Sequence, residues 1–476
     1  MEQLYATAEM ATLPFAWADA PLAQLSTAVA FPADQLKALL CLAAAYPVAA
    51  ASRLLPTAGL KHALNVAVGV VMAQFVYGPQ WVLSLVSAAA TYLLLRLWPS
   101  PAVVFVANMA FLAGLHLYRM HVDYMGWTMD ASTSQMLLLI KLTSFAYNLH
   151  DGTRGAAAAQ PTPSDSPQLA SVKRTRRALA IAEFPSLLEF FGYVYCFPTF
   201  LAGPAFEFQE YMDAVTGARL VASGKATRKP SPVRAALTKL TLALGFIAVL
   251  GTCGHLSDVR AAMANADSEP LTATAARVYL ALLLTRVKYY TAWKLAEGAT
   301  VLSGAGFEGF DHDGEPKGWN GVSNVDVLGF ELAENIRDLT RAWNKGTQQW
   351  LERYVYSRTG GSLLATYACS AIWHGFYPGY YLFFGAVPLA TAVNRLARRH
   401  LRPYVVDSPL KPLYDVAGVV ATALAVNYLA TSFVVLSWTD AIAGFRAMSY
   451  AGHVGLIVAF VLFAIVPVRK LSAKKL

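Results

Sequence analysis

The chain has 476 residues, of which 56% are hydrophobic and only 14% charged, with a formal net charge of +9 at neutral pH. A water-soluble domain carries about a quarter charged residues, so this composition excludes an ordinary soluble enzyme and points to a polytopic membrane protein. The basic residues are scattered over segments that flank apolar runs, without interleaved aromatics or a binding motif, which argues for the lipid bilayer and against nucleic acid as the partner.

In chain order, residues 1–36 contain no Lys or Arg and carry Glu2, Glu9 and Asp19, which predicts a lumenal N-terminal segment with no cleavable leader. Nearly charge-free apolar stretches follow at 38–52, 63–95, 97–115, 133–149, 240–254, 271–285, 359–394, 416–439 and 447–468. The 63–95 stretch is long enough for two passes around Gly78-Pro79. The dyad alternation of a β-barrel is absent, so the predicted fold class is all-α, with about ten to eleven transmembrane helices plus re-entrant and amphipathic helices. Basic segments at 53–61, 96, 173–177, 219–234 and 395–402, and a basic tail at 471–476, fall at alternate boundaries if the C-terminus is cytosolic. That parity requires re-entry at 185–204 and at 359–394.

Between the spans, the Ala/Pro/Ser/Thr-rich residues 155–171 and the basic cluster after them read as a cytosolic linker, 155–180, and 217–232 as a second one. Residues 304–357 differ. They mix polar and charged residues with Trp319, Trp343, Trp350, Tyr354 and Tyr356, and within them 335–356 is amphipathic, as at a membrane surface on the cytosolic side. No internal repeat is visible. Cys41, Cys196, Cys253 and Cys369 are far apart and read as buried thiols, while Asp123, Asp130 and Asp151 make no metal-ligand spacing, so no metal is expected. Lys141, inside an apolar span, is expected to snorkel or to pair with a helix-end carbonyl, and His116, His121, His150 and His255 are expected at span ends.

The most unusual stretch is 359–394, which holds no Asp, Glu, Lys or Arg and one imidazole, His374, in Ala371-Ile372-Trp373-His374-Gly375-Phe376-Tyr377-Pro378-Gly379. As a single helix it would extend roughly 54 Å, nearly twice the hydrocarbon core, so a fold-back at Pro378-Gly379 is predicted, with the imidazole one turn before it. A polar group at that depth needs a cavity or a partner. The structural alternative is a packing histidine bonded to a neighbouring carbonyl. In Thr340-Arg341-Ala342-Trp343-Asn344-Lys345-Gly346-Thr347-Gln348-Gln349-Trp350-Leu351, Asn344 and Gln348 are predicted to share a helix face with Thr347 beside them. Neutral amides suit an oxyanion in a low-dielectric site; a solvated helix face is the alternative.

Taken together, Trp343-Asn344 and Trp373-His374-Gly375 in a multi-pass chain resemble the membrane-bound O-acyltransferase family. Thr128-Met129-Asp130, the run Lys141-Leu142-Thr143-Ser144-Phe145-Ala146-Tyr147-Asn148-Leu149-His150-Asp151-Gly152, Phe200-Leu201-Ala202-Gly203-Pro204, Arg286-Val287-Lys288-Tyr289-Tyr290-Thr291-Ala292-Trp293-Lys294 and His374-Gly375-Phe376-Tyr377-Pro378-Gly379-Tyr380-Tyr381 are similar to its lysophospholipid acyltransferase branch. Ala131-Ser132-Thr133-Ser134 departs from that pattern, where a Thr-Gly-Pro-like turn is usual. The resemblance implies one domain over 37–470 with an intramembrane catalytic chamber, acyl-CoA as co-substrate and no other cofactor, and a lysophospholipid acceptor. It implies His374 and Asn344 as the catalytic pair, and Lys288, Tyr290, Trp293, Trp343, Thr347, Gln348 and Trp373 as residues that contact acyl-CoA or lysolipid. An endoplasmic reticulum location is also implied, and Ala473-Lys474-Lys475-Leu476 is similar to a dilysine retrieval signal shifted by one place. Sterol, diacylglycerol or protein acceptors are the alternatives within the class. A lipid transporter or scramblase is the alternative outside it, disfavoured by the lack of an inverted repeat.

Overall fold

The computed structural model describes residues 15–29, 31–126, 128–220 and 230–465. The expectations for the first residues of the chain, the middle of the 217–232 linker and the 471–476 tail fall outside them. Among the described residues the backbone is helical, with one isolated antiparallel bridge, Phe310 to Pro316. In chain order the helices are α1 (Ala16–Val29), α2 (Ala33–Ser52), α3 (Ala58–Tyr77), α4 (Trp81–Leu97), α5 (Pro101–Val122), α6 (Ala131–Gly152), α7 (Pro167–Leu179), α8 (Leu187–Val194), α9 (Phe197–Phe200), α10 (Phe208–Thr216) and α11 (Val233–Cys253). They continue as α12 (Val259–Met263), α13 (Leu271–Leu302), α14 (Val327–Glu331), α15 (Ile336–Ala342), α16 (Lys345–Trp350), α17 (Leu363–His374), α18 (Pro378–Val405), α19 (Lys411–Val435), α20 (Trp438–Ala447) and α21 (Ala451–Ile465).

Five helical runs among the described residues are long and apolar enough to cross a membrane: 33–52, 58–97, 101–122, 233–257 and 411–435. A sixth arises if α20 and α21, bent by 74°, form one span. The other stretches expected to cross are helical, as α6, α13 and the α17 and α18 pair. The chain breaks at the Gly78-Pro79 step: α3 ends at Tyr77, Gly78 takes φ +55° and ψ −144°, and a 3₁₀ turn over Gly78–Gln80 leads into α4. Pro79 lies in the first turn of that element, where its missing N–H leaves no bond unmade.

The described residues pack as two compact units, the first drawn from 1–248, 290–324 and 349–366, the second from 249–289, 325–348 and 367–476. In the first, Phe145, Phe190, Tyr193, Tyr195, Phe208 and Tyr211 form an aromatic core around α6 and α8. Asp130 opens α6 by accepting from the Ser132 N–H, so the helix starts at Ala131 despite the unusual Ala131–Ser134 entry. Lys141 is 1% exposed and donates to the carbonyls of Tyr193 and Val194, the last residues of α8. It is the helix-end pairing expected of it. His116, by contrast, is buried within α5, because that helix continues to Val122 and places it more than a turn inside the end. The basic half of the 155–180 linker is ordered as α7: Ser166 caps it, Pro167 occupies its first turn, and Arg176 donates to the Ser357 carbonyl at 3.2 Å.

The apolar stretch 271–285 is the first half of a longer helix, since α13 is continuous to Leu302 and places Lys288, Tyr290 and Trp293 in mid-helix. Its charges are paired both within the helix and with partners distant in sequence. Glu297, fully buried, accepts from Lys294 at 2.8 Å, from Lys239 of α11 at 2.9 Å and from the Asn324 N–H at 2.7 Å. Glu297→Ala leaves two buried ammonium groups without their carboxylate, and a loss of about 3–5 kcal/mol of stability is expected. Thermal unfolding of the purified variant in detergent checks this; an unchanged midpoint would show that the cluster contributes nothing. In the second unit, Val278, Ala281 and Leu282 of α13, Ile336 of α15, Ala390 of α18, Leu429 and Val435 of α19, and Phe445 of α20 form the core.

Candidate active site

His374 and Asn344 both belong to the second unit. His374 is the last residue of α17. Gly375 ends that helix: at φ +119° it lies outside the range an L side chain adopts readily, and its N–H bonds back to the carbonyls of Ala371 and Ile372, both at 3.1 Å. Pro378 then occupies the first turn of α18, where its fixed φ is favourable. A helix break is therefore present, but it falls at 375–377, three residues earlier than the Pro378-Gly379 step predicted for it.

His374 Nδ1 lies 2.7 Å from the carbonyl of Ser370, one turn back on the same helix. A backbone carbonyl only accepts, so Nδ1 carries the proton and Nε2 is the basic nitrogen. This is the carbonyl bond a packing histidine would also make, and it is equally the bond that fixes the tautomer a general base needs. Aromatic rings surround the imidazole: Trp373 edge-on at 4.6 Å, Phe384 at 5.1 Å, Phe433 at 5.1 Å and Tyr380 at 5.8 Å between centroids. They come from α17, α18 and α19. Gly379 brings α18 and α19 together, donating to the Leu436 carbonyl at 2.7 Å, and a Cβ at that position would lie 2.0 Å from the Ser432 carbonyl oxygen. That approach sets Phe433 against the imidazole.

The amphipathic segment 335–356, in which Asn344 and Gln348 are predicted to share a helix face, is interrupted at the residue of interest. α15 ends at Ala342, α16 starts at Lys345, and between them Asn344 takes φ +42°. Asn is among the few non-glycine residues that enter this left-handed region at modest strain, and such residues concentrate at functional sites. Its carbonyl accepts from the Gln348 N–H at 3.0 Å, so Asn344 precedes the helix that holds Thr347 and Gln348 instead of lying on its face. The neutral polar stripe is thus corrected to a left-handed turn followed by the start of α16. Trp343 packs on Phe330 of α14 at 4.9 Å and edge-on to Tyr289 of α13 at 5.9 Å. Thr347 and Trp373 are buried, and Lys288 is exposed.

Lys288, Trp343, Thr347, Gln348 and Trp373 share the second unit with the pair, whereas Tyr290 and Trp293, both buried, belong to the first. Ile336 of α15 and Ala390 of α18 lie in one buried cluster, so the helix leading to Asn344 packs in the same core as the helix leaving His374. Sequence reading missed Ser370, Tyr380, Phe384 and Phe433 as neighbours of His374. Only Ser370 had a signal, one turn upstream. Among the described residues no group of His, Cys, Asp and Glu side chains is arranged to hold a metal ion.

A multi-helix membrane protein with an imidazole at a helix break, ringed by aromatic side chains, has the makings of an enzyme that works on lipid-soluble substrates. A sequence model of the membrane-bound O-acyltransferase family matches residues 84–431, a stretch containing both candidate residues. The chain is similar to the lysophospholipid acyltransferase of Schizosaccharomyces pombe, 31% identical over 470 residues that cover 94% of this chain and 89% of that protein. It is also similar to membrane-bound glycerophospholipid O-acyltransferase 2 of Homo sapiens, 30% identical over 95% of this chain and 89% of the relative. Lysophospholipid acyltransferase 1 of Arabidopsis thaliana is 29% identical over 91% and 94%. The chain belongs to the membrane-bound O-acyltransferase family. It is a multi-pass membrane enzyme that transfers acyl groups to oxygen.

Proposed function

We propose that the protein transfers an acyl group from acyl-CoA to the free hydroxyl of a lysophospholipid, with His374 as general base. The single observation that carries the mechanism is the bond from His374 Nδ1 to the Ser370 carbonyl, because it leaves the basic lone pair on Nε2. The acceptor class rests on the relatives named above, which are lysophospholipid or glycerophospholipid acyltransferases. In the proposed step, Nε2 takes the hydroxyl proton as the oxygen attacks the thioester carbonyl. The carbonyl oxygen becomes negative, and the Asn344 amide either donates to it or orients the imidazole. Collapse forms the ester and breaks the carbon–sulfur bond, and the imidazolium returns its proton to the departing coenzyme A thiolate. Trp343, Thr347, Gln348, Trp373 and Lys288 are proposed to contact the substrates. Purified protein given single lysophospholipids, a sterol or a diacylglycerol with the same acyl-CoA, scored by mass spectrometry, tests the acceptor class; acylation of the sterol or diacylglycerol alone would overturn it.

We further propose an endoplasmic reticulum location, with the 155–180 and 304–357 segments and the C-terminus cytosolic and the N-terminus lumenal. The alternation of basic segments supports this topology. Epitope tags at the C-terminus and within 155–171 are expected to be digested by protease added to sealed microsomes, and an N-terminal tag to be protected until detergent is added. A shielded C-terminal tag would reverse the assignment.

A further inference from the structure

We propose that Arg286 is the positioning residue that holds the Asn344 turn in register with the helix carrying the aromatic wall of His374; this rests on the catalytic roles proposed for that pair. Arg286 lies in α13 and is 9% exposed. Its guanidinium grips Glu331 with two bonds, Nε to Oε1 and Nη2 to Oε2, each 2.8 Å, and uses Nη1 for a third, to Asn427 Oδ1 at 2.6 Å. Its carbon lies 5.4 Å from the Phe330 ring centroid.

Each partner leads to one half of the site. Phe330 and Glu331 end α14, and Phe330 packs on Trp343, the residue before Asn344. The other end of α14 is tied to the same turn, because the N–H of its cap residue Asp326 donates to the Ala342 carbonyl at 2.9 Å. Asn427 lies in α19, six residues before Phe433, whose ring is 5.1 Å from His374. One planar group therefore fixes α14, with the turn docked on it, against α19. A buried Arg–Glu pair adds little net stability over an apolar pair, but the guanidinium fork imposes an orientation that a lysine ammonium cannot. Its contribution is thus geometric, and an error of about 1 Å between catalytic groups is enough to lower turnover about 10²-fold.

The test compares Arg286→Lys, Asn427→Ala, Asn344→Ala and the double variant Arg286→Lys/Asn344→Ala, with turnover, apparent KM for acyl-CoA and detergent melting temperature measured for each. Arg286→Lys is expected to lower kcat about 10-fold or more with KM little changed. Asn427→Ala, which leaves the Arg286–Glu331 pair intact, is expected to lower kcat several-fold with only a small drop in melting temperature, and it carries the test if Arg286→Lys fails to fold. If Arg286 acts through the turn, the double variant is no slower than Asn344→Ala alone. Wild-type kcat in Arg286→Lys, or losses that multiply in the double variant, would overturn the positioning role while leaving the catalytic pair in place. Wild-type kcat in Asn344→Ala or in His374→Ala would instead remove the reading of the site, and the proposal with it.

Discussion

His374→Ala is expected to abolish acyl transfer while the protein still expresses, extracts and melts close to wild type. The imidazole ends its helix, and its Nδ1 bond runs to a carbonyl of the same helix. What remains is a gap among Trp373, Tyr380, Phe384 and Phe433, rings that pack on one another as well as on the imidazole, as Tyr380 does on Phe433 at 4.7 Å and Phe384 on Phe433 at 6.2 Å. The functional loss is of a different size. A general base contributes about 10²–10⁴-fold, and an apolar wall offers no replacement proton acceptor. Turnover by the purified variant above about a tenth of wild type would make the general-base role untenable. A collapse of the melting temperature would assign the residue to packing.

The second large effect is expected at Asn344, and here the backbone supplies its own control. At φ +42°, alanine strains the turn by about 1–2 kcal/mol, whereas glycine adopts that conformation freely and lacks only the amide. If the amide serves the chemistry, Asn344→Ala and Asn344→Gly both lose on the order of 10²-fold in kcat, with little change in the apparent KM for acyl-CoA. Recovery of kcat by Asn344→Gly alone would show that the position matters for its conformation and not for its side chain. Gln348→Ala, in the helix that follows, is expected to cost much less. A defect of Asn344→Ala confined to KM would move the residue to substrate binding and leave His374 as the sole proposed catalytic group.

The membrane character and the histidine were legible because both are written locally. Long charge-free runs show in composition, and an imidazole inside one of them stands out without any tertiary information. The helix break was legible too, though placed three residues late: Pro378 drew attention as the breaker, whereas Gly375, with its positive φ, ends the helix and Pro378 begins the next one. The continuity of α13 was hidden for a physical reason. Arg286 looks like the end of a span until Glu331, 45 residues away, is found beside it. The left-handed turn at Asn344 was hidden as well. Residues 335–356 have the amphipathic pattern of one helix, and the break arises from packing of Trp343 on Phe330 and Tyr289, contacts that no period in the sequence encodes. Phe433 could not be found at all, since one more phenylalanine in an apolar span carries no mark of what it touches.

The most direct measurement of the central claim is product formation by purified wild-type and His374→Ala protein given one lysophospholipid and one acyl-CoA, with diacyl phospholipid and free coenzyme A quantified together. The predicted result is one phospholipid formed per coenzyme A released by the wild type, and neither product above background in the variant. Phospholipid formed equally by both proteins, or coenzyme A released by the wild type without phospholipid, would contradict it.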